Sequence, residues 1–463
     1  MTFDQRDRLL EVDDELVSSL RLLMEVRNDN ALAALMIDLH EVDIAELLQY
    51  LDQEERHYIL GLLRDEIVGE VVLHLPEDQR GEYLSVLEPE RITDIVEELS
   101  TDDAADIVSE LDDHIAEEVL RNLQLTDHEA TDEIRELLQY DENTAGGRMT
   151  TDYVVVTDST TVAGAIESVR EFVRDEEIDV YVVYVVDAAD RLVGYIRLQD
   201  LVLRPPTLRA RDVMLSDLVT VPPSEDQEQV AQVMQKYDLI AVPVVSESGI
   251  LLGIVTFDDI ADIIEDETSE DMLYLAGVTD EDSLAGTPVQ SLRRRIPWLT
   301  INLGTAFVNS MVVVYFTGTI ERLPRIAALL PIVAAMGGNA AIQSITIMVR
   351  ALALGEVVAG RQRRAIVKEG TIGLMNGLAM GSLAGSIVWW MYGNPFFGGL
   401  IALAMFGNLL IAAIAGASIP ILLRRLRFDP ALSSGPIVTT LTDMTGFFIL
   451  LGLATLSLSL LLP

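Results

Sequence analysis

The chain has 463 residues, no cysteine and a formal net charge of −43 at neutral pH. That length exceeds one ordinary core, so two or more domains are expected. Without cysteine, disulfides, thiol catalysis and thiolate metal sites are excluded, while hard cations with oxygen ligands stay open. The acid excess makes nucleic acid an unfavourable partner.

The charge is unevenly spread. Residues 285–463 hold 13 Arg/Lys and 5 Asp/Glu, so the other 284 residues carry a net charge of −51. This marks a boundary near residue 285 between an acidic aqueous part and an apolar part. Lysine occurs only at Lys236 and Lys368. High acid with little lysine also suits a salt-rich cytoplasm, so only positioned carboxylates count as evidence of function. The first residues, Met1 to Arg6, form no apolar signal segment, and the front half is expected in the cytoplasm.

In chain order, residues 1–140 read as a domain of short amphipathic helices. Asp94-Ile95-Val96-Glu97-Glu98-Leu99 recurs as Asp106-Ile107-Val108-Ser109-Glu110-Leu111, and Asp43-Ile44-Ala45-Glu46-Leu47-Leu48 is similar. Repeated short helices that bury one face on their neighbours suggest a small all-α solenoid. The five histidines are scattered and there is no phosphate-loop motif, so no enzyme activity is expected.

Residues 141–257 contain a tandem α/β repeat. Tyr181–Val186 is a buried-strand pattern, followed by a turn, Leu192–Ile196 and a helix-like Leu198–Leu201. The same order returns in Val242–Val245, Leu251–Val255 and Asp258–Ile260, with Gly194 matched by Gly253 and Asp200 by Asp259. Two such units resemble a CBS-domain pair, a module that implies ligand sensing, dimerisation and a possible adenine nucleotide.

Residues 258–292 form an acidic connector, helical from Asp258 to Ala276. Asp259, Asp262 and Asp266 share one face, and Glu267, Glu270 and Asp271 another. Like charges at these spacings destabilise a helix by a few tenths of a kcal/mol per pair. Bound cations would relieve that repulsion, whereas a solvated acidic face in a salt-adapted protein would simply bear it.

Residues 293–463 form the membrane part. Five apolar stretches, at about Ile296–Phe316, Ile326–Leu354, Gly370–Tyr392, Phe396–Leu423 and Ile437–Leu462, are long enough to cross a ~30 Å hydrocarbon layer as helices. Arg293–Arg295, the Arg361–Lys368 group and Arg424–Arg427 lie on one side. That places the N-terminus in the cytoplasm and the C-terminus outside. Asp443 reads as the one carboxylate well inside a span, where it costs ~2.5–3.5 kcal/mol unless it faces a cavity or partner. Pro331 and the Gly337-Gly338 pair are expected to loosen the second span and free backbone carbonyls. Asn339 and Gln343 lie one turn apart on it, and Asn408 and Pro420 add polar and kinking positions in the fourth. Hydroxyls, amides, carbonyls and one acid suit a cation that keeps much of its water, as Mg2+ does.

The run Pro331…Gly337-Gly338-Asn339…Gln343, with Asp429-Pro430-Ala431, Ser434-Gly435-Pro436 and Asp443, resembles the signature of the MgtE-type magnesium channels. The resemblance implies a homodimer in the lipid bilayer with five spans per subunit and a pore at the dimer interface. Asp443 would hold hydrated Mg2+ there, with Asn339, Gly338 and Thr439 lining the pathway. The helical front domain resembles that family's N-terminal domain, and the acidic connector its plug helix. Regulatory Mg2+ would then bind Asp259, Asp262, Glu267, Glu270, Asp271 and Asp238. Ala341 stands where the family usually has glycine. The implied function is Mg2+ import, closed when cytoplasmic Mg2+ draws the acidic domains together. An ion-coupled secondary transporter of Mn2+ or Co2+ and a non-transporting membrane sensor are the competing readings.

Overall fold

The computed structural model describes residues 14–37, 39–176, 180–278, 287–357, 360 and 362–458. The chain divides into two compact units, the first ending at Ile263 and the second beginning at Ile264.

The first unit opens with ten short helices among the described residues. These are α1 (Asp14–Glu25), α2 (Asp29–Ile37), α3 (Glu41–Leu48), α4 (Gln53–Leu60), α5 (Asp65–Leu73), α6 (Glu77–Leu84), α7 (Pro89–Val96), α8 (Thr101–Ser109), α9 (Asp113–Thr126) and α10 (His128–Leu137). Helices this short are marginal alone, so tertiary packing must hold them. Alternate helices stack: α3 on α5, α5 on α7, α7 on α9 and α8 on α10. The repeated motif supplies the buried face, since Ile95, Val96, Ile107 and Val108 are all core residues, as are Ile44, Leu47 and Leu48. Side chains cap the starts of α3, α4 and α10, as at Asp52, whose carboxylate accepts from the Glu55 amide while the Glu55 side chain accepts from the Asp52 amide.

The α/β repeat follows. Its first copy has β1 (Val154–Thr157), α11 (Val162–Glu176), β2 (Val182–Val186), β3 (Leu192–Arg197) and α12 (Leu198–Leu203). After α13 (Ala210–Val213), the second has α14 (Gln227–Tyr237), β4 (Ala241–Val245) and β5 (Leu251–Thr256). β2 pairs antiparallel with β3 as β4 does with β5, and Val185 faces Gly194 as Val244 faces Gly253. Each hairpin also receives a strand residue from ahead of the other copy. Thr150 exchanges backbone bonds of 2.8 and 3.0 Å with Ile254, and Leu215 exchanges bonds of 2.8 and 3.0 Å with Tyr195. The two glycines make room for those segments. A Cβ at Gly194 would lie 2.8 Å from Leu215 O, and one at Gly253 2.7 Å from Thr150 O. The period-matched glycines therefore mark the cross-pairing that joins the copies.

A continuous α15 (Phe257–Ala276) carries the unit boundary within it. The second unit continues with α16 (Pro288–Tyr315), α17 (Thr317–Arg322), a 3-10 turn at Pro324–Leu329, α18 (Leu330–Ala353), α19 (Gln362–Tyr392), α20 (Pro395–Arg425) and α21 (Pro430–Leu456). Among its described residues, five helical segments are long and apolar enough to cross a membrane. α20 is central, packing on α18, α19 and α21, and α16 lies against α21. α19 and α20 turn tightly through Gly393, at φ +66°, and Asn394, whose side chain caps the Phe396 amide at 2.9 Å.

Two expectations change here. Pro331 and Gly337-Gly338 do not loosen α18, which is helical throughout Leu330–Ala353. Pro331 lies in the first turn, where its missing N–H needs no partner. Gly337 instead admits the side chain of Asn408, which a Cβ would strike. Secondly, Asp443 is not the one acid inside the helices. α19 starts at Gln362, two turns ahead of the apolar stretch, and carries Glu369 into the bundle at 4% exposure.

Candidate cation sites

In the second unit, α21 presents Asp443, half-buried, to α16. Asn309 Nδ2 donates to Asp443 Oδ2 at 3.2 Å. Asn309 is 8% exposed, and its Oδ1 is buried without a hydrogen-bond partner. A turn earlier, Thr439 Oγ1 donates to Gly435 O at 2.6 Å, which spends its proton on its own helix and leaves its lone pairs free to accept. Asn339 is exposed on α18 with Gln343, and beside Gly338 there is open space.

Asn408 belongs to the packing of this unit. It is 1% exposed, donates to Val333 O at 3.0 Å and accepts from Thr445 Oγ1 at 3.3 Å. Gly337 and Gly446 flank it. Ala341 is also internal, at 1% exposure among Ile345, Ala412, Ala415 and Val438, so its methyl fills a joint between α18, α20 and α21. Glu369 accepts from Ser344 Oγ at 3.0 Å.

Acidic groups gather in each unit. In the first, a cavity of about 420 Å3 is lined by the acids Asp102, Asp103, Asp152, Asp258 and Asp259 and by the aromatic residues Tyr153, Tyr181, Tyr184 and Phe257. Burial, then the charges of Asp103 and Asp152, push Asp102 up to about 7. Burial pushes Asp103 to about 6, with Ser100 Oγ partly offsetting it through a 2.7 Å bond. Burial and then Asp102 push Asp259 to about 8, against the 2.6 Å bond it accepts from Thr256 Oγ1. Asp102 Oδ1 is buried and without a partner. In the second unit, burial, then Asp429 and Glu270, push Asp271 up to about 6.

Of the acids named from sequence, Asp259 joins the first group, and Glu270 and Asp271 the second. Asp262 is exposed on α15. Asp238 is exposed at the C-cap of α14, where it takes a left-handed conformation, φ +51°. Sequence reading missed Asp102, Asp103, Asp152, Asn309 and Glu369. Among the described residues no three His, Asp or Glu side chains converge to hold a bare metal ion. Mg2+ dehydrates reluctantly and is commonly held by one or two carboxylates through its waters, which loosely grouped acids suit.

A unit of short helices and a tandem α/β repeat, joined to a unit with five membrane-length helices among the described residues, defines a multi-pass membrane protein. Comparisons with known proteins narrow the class. Residues 330–453 match the family model described as a divalent cation transporter, residues 39–143 the MgtE intracellular N domain, and residues 145–205 and 210–266 the CBS domain. The magnesium transporter MgtE of Thermus thermophilus is 38% identical over 337 residues, covering 72% of this chain and 74% of that protein. That of Enterococcus faecalis is 35% identical, covering 71% and 72%. A solved cytosolic domain of the Mg2+ channel MgtE, in complex with ATP, is 36% identical with a TM-score of 0.50, covering 54% of this chain and all of that one. The chain belongs to the MgtE family.

Proposed function

We propose that this chain imports Mg2+ across the cytoplasmic membrane as a homodimer, with its first unit in the cytoplasm and its C-terminus outside. The supporting observation is Asp443, a carboxylate on a membrane-length helix that contains no Arg or Lys and whose hydrogen-bond donor is a neutral amide. A permeating cation is the natural counter-charge for such a group. Asn339, Gly338 and Thr439 extend the pathway with amide, backbone and hydroxyl oxygens suited to a hydrated ion.

Closure by cytoplasmic Mg2+ follows from the acid groups. With Mg2+ low, the carboxylates of Asp102, Asp103, Asp258 and Asp259 repel, as do those of Glu270, Asp271 and Asp429. Mg2+ favours the arrangement in which they are close, and its differential affinity supplies the energy for the shift. α15 contributes to both groups, so occupancy of either acts on one helix. Asp262, Glu267 and Asp238 are accessory ligands in this scheme. The aromatic residues lining the 420 Å3 cavity suit an adenine ring, and a nucleotide there would enter as its Mg2+ complex, since five acidic side chains also line it.

The test is Mg2+ uptake by the purified chain in liposomes. Asp443→Ala is expected to abolish uptake while the protein stays folded by size-exclusion chromatography, and undiminished uptake would reject the pathway. Buried Glu369 supports a second reading, coupled transport by a proton- or Na+-binding acid. A carrier of that kind stalls when the H+ and Na+ gradients are collapsed, whereas a channel continues down the Mg2+ gradient.

A further inference from the structure

Resting on the pathway reading of Asp443, we infer that Asn309 is a positioning residue for that carboxylate and a direct acceptor for the water shell of the passing cation. An acid in an ion pathway must stay ionised and available. A neighbouring Arg or Lys would keep it ionised but would neutralise it and repel the ion. A neutral amide orients one carboxylate oxygen and adds no charge. The contact from Asn309 Nδ2 to Asp443 Oδ2 is of this kind, at 3.2 Å. The amide orientation is fixed by chemistry, because an ionised carboxylate only accepts and the nitrogen must face it.

That orientation has a consequence for the other end of the amide. Asn309 is 92% buried, its Oδ1 has no donor among the described residues, and buried amide oxygens are normally satisfied. The amide carbon places that oxygen beside the nitrogen that touches Asp443. Water molecules bound to a divalent cation are strong donors, and those shared with Asp443 are the donors this oxygen lacks. Asn309 thus reads the hydrated ion, and its oxygen favours a cation that arrives with its waters over one that sheds them.

Liposomes holding the full chain are assayed for uptake across a range of Mg2+ concentrations, with Asp443→Ala run alongside. Asn309→Leu, similar in size but unable to donate or accept, is expected to raise half-saturating Mg2+ about tenfold and to admit more Na+. Asn309→Asp, equal in size but charged, is expected to lower half-saturating Mg2+ several-fold and slow maximal uptake, because the ion leaves late. Shifts of opposite sign support the inference, since a purely structural amide would not produce them. Wild-type curves for both variants, or changes of the same sign in both, would overturn it. If Asp443→Ala silences uptake while the Asn309 variants behave as wild type, only the Asn309 inference falls. Full uptake by Asp443→Ala would remove the pathway reading and this inference together.

Discussion

Asp102, Asp103, Asp106 and Asp259 all titrate above the ordinary carboxylate range, at about 7, 6, 6 and 8 respectively. Burial is the first cause for each. A group that is harder to ionise in the fold than in the unfolded chain stabilises the fold at acid pH. That contribution is present in full below the unfolded value near 4 and is lost as pH rises from there to the folded value. With divalent cations chelated, the first unit should therefore lose protease resistance progressively between about pH 4 and pH 8. Asp259→Asn keeps an acceptor for Thr256 Oγ1 and removes the charge. It should flatten the profile and raise stability at pH 8.5. The same variant should respond less to added Mg2+. An unchanged pH profile would mean that Asp259 is not among the groups that strain the fold.

Helices α18 and α19 show how one residue type, glycine, supports two unlike uses. Gly373, Gly377, Gly381 and Gly385 recur every fourth residue and are all buried. A Cβ at Gly381 would lie 2.7 Å from Ala402 O, and one at Gly385 2.7 Å from Gly398 O, so these glycines let α19 approach the backbone of α20. Gly381→Ala should thus destabilise the second unit by about 1–3 kcal/mol, as overpacking does, read as a lower melting temperature in detergent. Gly338 has open space where a Cβ would go. Gly338→Ala should leave melting unchanged and alter only Mg2+ flux. The strands were legible because β-branched runs such as Val182–Val186 have few other uses, and the five spans because length and hydropathy suffice. The role of Gly337 was not, since a glycine can loosen a helix or admit a neighbour, and Asn408 decides which from 71 positions away. Glu369 was lost because the apolar stretch begins at Gly370, although the helix does not. Asn309 carries no charge to draw attention within a span. Asp102 and Asp259 meet only through folding, 157 positions apart. The signal for them was present in Ser100-Thr101-Asp102-Asp103, a helix start with two acids in its first turn.

At the scale of the whole molecule, the question is whether the soluble half responds to Mg2+ through placed acids or through its −51 charge as a whole. The two differ in their sensitivity to ordinary salt. At 0.15 M ionic strength the screening length is about 8 Å, so monovalent salt already damps repulsion spread over a surface. It acts much less on partly buried acids that perturb one another at close range, such as Asp102, Asp103 and Asp259. An Arg-specific protease therefore gives a direct measurement on the full chain at constant monovalent salt. Placed acids predict that protection of the first unit saturates at millimolar Mg2+ and is not matched by NaCl of equal ionic strength. They also predict that Asp259→Asn and Asp271→Asn together shift the midpoint to higher Mg2+. The two substitutions remove only two of its many charges, so bulk screening would leave the midpoint almost where it was. An equal effect of NaCl would assign the acidity to life in a salty cytoplasm and take gating away from α15.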